Sequence, residues 1–251
     1  MFYITGDTHG MHSDTKNITA LRRTGVLKSD DYIFICGDFG YVWDNPFMSK
    51  AQKKRGETYE SLYGPNWYQM ESRQEKFVLN WMSEYLPHVC FIDGNHENFD
   101  RLEKYPIEAW NGGKVQFIRP NVIHLMRGQT YCINGKEIFA FGGARSHDME
   151  GRHEHQSWWH QELPTHKEIE EGRKNYNSPD IILTHTLPAS IEPYGNRDEI
   201  NLFLDEIFQK GFGKWFCGHY HEDGAYKGIR LIYNDIVSLR AQTPSDEVVR
   251  G

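Results

Sequence analysis

Eight side chains able to ligate a cation or move a proton follow five apolar runs in this chain. Asp7 and His9 stand in YITGDTHG, Asp38 in IFICGDFG, Asn95 and His96 in CFIDGNHE, His185 in IILTHTLP, and His219 and His221 in WFCGHYH. Carboxylates, imidazoles and a carboxamide oxygen, with no thiolate among them, make a mixed N/O donor set that suits Mn, Fe, Zn or Ni rather than a structural zinc. His96 aside, four histidines, two aspartates and one asparagine exceed what one ion needs. They suit two ions that share a bridge, and Asp38, with two carboxylate oxygens, is the natural bridging group. Four of the five runs place a glycine at the point where apolar gives way to polar. Glycine there removes a Cβ and permits the sharp turn and close approach that several converging ligands require. Asp-x-His and His-x-His spacings would put alternate side chains on the same side of an extended segment. A single Asp-x-His recurs by chance; five such ends in order, each after an apolar run, do not.

In open α/β sheets, sites gather beyond the carboxyl ends of strands, so strands must deliver these residues. Apolar runs at 2–5, 32–36, 89–92, 122–125, 181–184, 215–217 and 229–233 predict strands, and 131–133 and 137–141 flank Asn134-Gly135 as a hairpin. Helical spacing covers 13 to about 23, with Ile18 and Leu21 apolar and a cap at Ser13 or Asp14. It covers 71–86, with Phe77, Val78, Trp81, Met82 and Tyr85 on one stripe and Pro87 as the stop. A Thr165/Glu168 capping box opens a helix to about Tyr176, and 198–210 carries Leu202, Ile207 and Phe208 on its apolar side before Gly211. Strands alternating with helices predict an α/β fold (α+β by some schemes), with two mixed β-sheets in a sandwich flanked by helices. One domain over 1–251 is expected. Between about 41 and 70 the periodicity fades into aromatics and a basic run at 50–55, which predicts a lid-like insertion.

The 251 residues carry 28 basic and 35 acidic side chains, a net charge of -7, and the mean hydropathy is -0.70. That balance argues against long nucleic acids, which need a basic face, and against a membrane protein. Two divalent ions would add about four local positive charges, so an anionic substrate stays open. Cys36, Cys90, Cys132 and Cys217 lie far apart in apolar runs and read as reduced, buried side chains. MFYITGD begins a strand with no secretory pattern, which makes the cytoplasm the expected compartment.

The ordered set Asp-x-His, Gly-Asp, Gly-Asn-His-Glu, a lone His and Gly-His-x-His resembles the calcineurin-like metallophosphoesterase superfamily, from Asp7 to His221. The resemblance implies a four-layer, metallo-dependent phosphatase-like sandwich with a dinuclear centre at its edge. It implies that Asp7, His9, Asp38 and His221 hold one ion, that Asp38, Asn95, His185 and His219 hold the other, and that His96 is the general acid. The implied reaction is hydrolysis of a phosphate ester by a metal-bridging hydroxide that attacks phosphorus. Expected substrates are a phosphorylated small molecule, a nucleotide or a phosphopeptide. A phosphodiesterase or nuclease on the same centre is the alternative, and a non-catalytic scaffold a second; retention of every ligand and of His96 speaks against the scaffold. A redox di-iron protein would carry Glu-x-x-His pairs on helices instead.

One departure stands out. Members that dephosphorylate serine and threonine continue the second motif as Gly-Asp-x-x-Asp-Arg-Gly, whereas Gly37-Asp38-Phe39-Gly40-Tyr41-Val42 has neither the second Asp nor the Arg. Arg145, in FGGARSHD, is the candidate replacement cation for substrate binding. His96 is expected at the start of a helix over 97–104, whose N-terminus would favour an anion. The stretch holding His147, His153, His155 and His160 reads as a loop at the site rim rather than a second metal site, with Trp158 and Trp159 packing.

Overall fold

The structure, a computed structural model, describes residues 1–10, 16–43, 49–240 and 247–249. The cap expected at Ser13 or Asp14 lies outside the described residues. Among those described, the strands are β1 (Phe2–Thr5), β2 (Tyr32–Cys36), β3 (His88–Ile92), β4 (Ile107–Trp110), β5 (Gly113–Arg119), β6 (Val122–Leu125), β7 (Gln129–Ile133), β8 (Lys136–Phe141), β9 (Ile181–Thr184), β10 (Lys214–Cys217), β11 (Gly224–Tyr226), β12 (Ile229–Leu231), β13 (Ile236–Leu239) and β14 (Glu247–Val249). They form an eight-stranded sheet in the order β14-β13-β1-β2-β3-β6-β5-β4 and a six-stranded sheet in the order β11-β12-β10-β9-β8-β7. Both are mixed. β1, β2, β3 and β6 run parallel in the first, as do β8, β9, β10 and β12 in the second. The expected hairpin is β7–β8, with Asn134 and Gly135 both at positive φ, as its tight turn requires.

Alternation along the strands builds the layers. Phe2, Ile4, Phe34, Cys36, Cys90 and Ile92 of the first sheet pack with Ile138, Ala140, Ile181, Leu183 and Phe216 of the second, forming the core between the sheets. The intervening residues Tyr3, Ile33, Ile35, Val89 and Phe91 face outward against Ile18 and Leu21 of α1 (Lys16–Arg23). Two further short helices, α2 (Lys50–Lys54) and α3 (Tyr59–Tyr63), bury no residue, while α4 (Arg73–Tyr85) adds Val78, Leu79 and Met82 to the outer layer, and α5 (Phe99–Leu102) adds Phe99 and Leu102. On the far side of the second sheet, Phe139, Phe141, Ile182 and Trp215 pack on α6 (His166–Asn175) and α7 (Glu199–Lys210) through Ile169, Ile200, Phe203, Leu204 and Ile207. The result is helix, sheet, sheet, helix, the four-layer α/β sandwich. No helix among the described residues is long and apolar enough to cross a membrane.

Several expectations change. The buried stripe of α4 is Glu75, Val78, Leu79 and Met82, and Phe77 is 67% exposed, with Tyr85 also exposed. The helix is rotated because the Glu75 carboxylate is drawn inside to Arg101, at 2.6 Å from Nη1. In α7 it is Leu202 that is exposed and Asn201 that is buried, because the Asn201 amide donates to the Leu187 carbonyl at 2.8 Å. Cys132 is exposed, unlike Cys36, Cys90 and Cys217, since it occupies an outward position of the edge strand β7 between buried Tyr131 and Ile133. The helix expected over 97–104 is the single turn α5, which Asn98 caps by accepting from Arg101 N at 3.2 Å. Pro106 bars any helix beyond Lys104, because the residue before proline is driven out of the helical region. His96 lies before the cap, so the expected helix N-terminus for an anion does not exist there.

A buried ionic cluster fastens the end of β3. Asp93 Oδ2 accepts from Arg127 Nε at 2.8 Å, and Oδ1 faces His124 Nε2 at 3.3 Å. Burial alone would raise the Asp93 acid, but the Arg127 guanidinium and the His124 ring hold it down to about 2, from an ordinary 3.8. A carboxyl depressed in the folded state contributes stability above its unfolded pKa and loses it as pH falls through the folded one, here from about pH 4 toward pH 2. Asp93→Asn should therefore lose roughly 2 kcal/mol at neutral pH and show a flatter loss between pH 4 and 2 in urea unfolding. An acid limb identical to that of the parent protein would remove Asp93 from this role.

Candidate metal centre

The carboxyl ends of β1, β2, β3, β9 and β10 converge where the two sheets meet. The turns that follow are not extended. Asp7, His9, Asp38, His219 and His221 have φ of 23°, 47°, 47°, 70° and 52°, so the shared-side argument from Asp-x-His and His-x-His is replaced by left-handed turns. Such conformations cost of order 1–3 kcal/mol each and persist only where the surroundings over-determine them. Here they do. His9 N donates to the Asp38 carbonyl at 2.7 Å and Gly10 N to that of Phe39 at 3.0 Å. His219 N donates to Asp7 Oδ2 at 2.9 Å, and His96 N to Asp38 Oδ1 at 2.7 Å. Two glycines make the convergence sterically possible. A Cβ on Gly37, itself at φ 90°, would overlap the His185 ring, and one on Gly94 would overlap the Asp38 carboxylate and its backbone nitrogen.

His185 is oriented from behind. Its Nδ1 lies 2.8 Å from the Cys36 carbonyl, which can only accept, so Nδ1 donates. Nε2 is then turned toward Asn95 Oδ1 at 3.1 Å and Asp38 Oδ1 at 3.3 Å. Asp38 stands between two imidazoles, with Oδ1 toward His185 and Oδ2 toward His9 Nδ1 at 3.8 Å. His9 Nε2 meets His221 Nε2 at 3.0 Å, and His221 stacks under Tyr233, ring centroids 4.4 Å apart. Ligand atoms of Asp7, Asp38 and His185, all buried, lie within 4.8 Å of one another.

The electrostatics of this donor set call for a cation. Burial pushes the Asp7 acid up to about 7. Burial would raise Asp38 too, yet the His185 ring beside it holds that carboxyl well below the usual carboxylate range. His185, which burial alone would lower, is pushed up to about 9 by Asp38 and Asp7. A proton on His185 thus balances two buried carboxylates, the work a divalent ion does better among so many side-chain acceptors. Burial also pushes His219 down to about 3 and lowers His9 and His96, leaving neutral rings with lone pairs to share. The residues present fit metal ions.

Three supports were not anticipated from the sequence. Asn95 Nδ2 donates to Ser146 Oγ at 3.1 Å, and that hydroxyl donates to Glu162 Oε2 at 2.6 Å. A serine hydroxyl occupied as a donor must accept from the amide, which keeps Asn95 Oδ1 aimed at His185. Glu97, fully buried, accepts from Phe39 N at 2.7 Å and Gly40 N at 3.2 Å, pinning the loop after Asp38. Arg152 reaches His96, Nη1 to Nδ1 at 3.2 Å. An acid directly after Asn-His was the available signal for Glu97; for Ser146, Glu162 and Arg152 there was none without the fold. Arg145 binds Asp198 in a bidentate pair through the Nε and Nη2 edge of its guanidinium, Nε to Oδ2 at 2.7 Å. The loop histidines do not converge: His155 pairs with Asp100 at 3.0 Å, His160 with Glu154 at 2.7 Å, and His147 meets Asn196 at 3.2 Å. Their loop does border the site, with His147 and His219 ring centroids 6.0 Å apart. Trp159 packs fully buried, edge-on to Trp43.

Residues 1–223 match the family model described as calcineurin-like phosphoesterase. The lariat debranching enzyme of Homo sapiens is 23% identical over 244 residues, covering 87% of this chain and 41% of that protein. The chain therefore spans about two fifths of the length of that curated relative. Since the family match runs from β1 past the last of the clustered histidines, the chain belongs to the calcineurin-like phosphoesterase family.

Proposed function

We propose that this phosphoesterase is a dinuclear-metal hydrolase that acts on a phosphorylated small molecule, a nucleotide or a phosphopeptide. The observation that carries the reading is the buried meeting of Asp7, Asp38 and His185, acceptor groups within 4.8 Å of one another. In this reading Asp7, His9, Asp38 and His221 hold one ion and Asp38, Asn95, His185 and His219 the other. The N/O donor set favours Mn, Fe, Zn or Ni. Bound there, two divalent ions supply positive charge for the phosphoryl oxygens and acidify a water to a nucleophile.

The side chains do the rest. Asp38 would be the shared ligand, since one of its oxygens lies on the His185 side and the other on the His9 side. The same carboxylate accepts the His96 backbone N–H, so the acid is tied in register with the metals. Asn95 offers Oδ1 to an ion, and the amide hydrogen not used by Ser146 is free for a phosphoryl oxygen. His96 is the general acid of this reading and donates to the oxygen that leaves. The insertion at 41–70 is read as a lid: its described part meets the site layer where Asn98 Nδ2 donates to the Tyr68 carbonyl at 2.7 Å. Likeness to a lariat debranching enzyme favours a second reading, a diesterase on the same centre. The net charge of -7 favours small substrates over long nucleic acids in either case.

Loaded with Mn²⁺ and desalted, Asp38→Asn should retain at least one ion fewer per chain than the parent protein by elemental analysis; equal metal content would refute the bridge. His96→Asn should keep its metals but turn over alkyl phosphate esters about 10²–10⁴-fold more slowly, with a smaller loss on p-nitrophenyl esters. Loss of metal in that variant would instead place His96 among the ligands. Comparing p-nitrophenyl phosphate with bis-p-nitrophenyl phosphate divides monoesterase from diesterase, and turnover of neither with Mn, Fe, Zn or Ni would end the hydrolase reading.

A further inference from the structure

The strap from Ser146 to Glu162 is tied across the site at three places. At its ends, Ser146 and Glu162 hold the Asn95 amide. In its second half, His155 Nδ1 lies 3.0 Å from an Asp100 carboxylate oxygen on α5. Between these, Arg152 presents Nη1 to His96 Nδ1 at 3.2 Å, with its side chain only 16% exposed. The same nitrogen reaches the Ser157 carbonyl at 3.4 Å, and Nη2 is paired with Asp148 four residues earlier.

A guanidinium has five N–H donors and no acceptor. The ring nitrogen that faces it must offer a lone pair, so the proton of His96 resides on Nε2. We propose that Arg152 is a positioning residue for His96: its N–H···Nδ1 bond selects the Nε2–H tautomer and sets the direction of the ring. The inference rests on the reading of His96 as the group that serves the leaving oxygen, and it narrows that role. With Nδ1 held as the acceptor from Arg152, Nε2–H is the N–H of His96 left to serve the departing oxygen. Asp148 holds the other edge of the guanidinium and so keeps it from turning away. Direct phosphate binding by Arg152 fits less well, because both terminal nitrogens are already engaged by protein acceptors.

The first test does not need turnover. Long-range ¹H–¹⁵N spectra of the full chain, metal-free and loaded with diamagnetic Zn²⁺, report the protonation of each imidazole nitrogen, with His96 assigned by its loss in His96→Gln. The expected pattern is a lone pair on Nδ1 and a proton on Nε2, replaced in Arg152→Met by an average of the two tautomers while the other twelve histidines keep theirs. A proton on Nδ1 in the parent protein, or no change in Arg152→Met, overturns the proposal.

The second test is kinetic. On an alkyl phosphate ester Arg152→Met should lower kcat by about tenfold or more with KM little changed, Arg152→Lys should recover part of the loss, and Arg152→Met should cost nothing further when combined with His96→Asn. A raised KM on alkyl and p-nitrophenyl esters alike, additive with His96→Asn, would make Arg152 a phosphate clamp and overturn the positioning role. An equal loss on both esters with a lowered Tm would make it structural only, with the same consequence. Absence of turnover in the parent protein would count against the hydrolase reading and leave the spectra to decide this one.

Discussion

Buried electron-pair acceptors must face either donors or a cation, and the rim of this sandwich gathers more acceptors than its donors can serve. Asp7, Asp38 and His185 are almost wholly removed from water. Backbone N–H groups of His96 and His219 satisfy one side of each carboxylate, and the Cys36 carbonyl occupies one nitrogen of His185. What remains points inward, with carboxylate and amide oxygens gathered around a single His185 nitrogen. Placing the centre at the junction of two parallel strand sets is what makes this arrangement possible, because strand ends from both sheets arrive at one point without any loop having to be long.

The local backbone obeys the same demand. Five ligand candidates adopt left-handed conformations, and glycines at 37 and 94 clear the volume that His185 and Asp38 fill. Strain of this kind is held by interlocked main-chain bonds between the turns after β1 and β2. Acids that are not ligand candidates serve as struts. Glu97 holds the loop after Asp38, Glu162 acts through Ser146 on Asn95, and Asp93 joins the end of β3 to Arg127. These groups act by orienting others, which is how a site gains accuracy from neighbours that never touch substrate.

Legibility in the sequence followed periodicity and local chemistry. β1, β2, β3, β6, β9 and β10 could be read because buried parallel strands are short apolar runs. The Thr165/Glu168 box and Asn134-Gly135 could be read because their geometry is decided within four residues. β4 escaped notice because Ile107, Glu108 and Ala109 are exposed and show no alternation. Phe77, Tyr85, Leu202 and Cys132 were misplaced because hydrophobicity does not say which face wins when Glu75 and Asn201 find partners inside.

By itself, the sequence determined which residues end the buried strands and that those residues are oxygen and imidazole donors, since strand burial and side-chain chemistry are properties of short stretches. Only the tertiary structure decided how they meet. It set left-handed turns where extended ones were expected, gave Arg145 to Asp198 and brought Arg152 to His96. The two arginine contacts join residues more than fifty positions apart, and the turns are locked by bonds between separate strand ends, which no local pattern encodes.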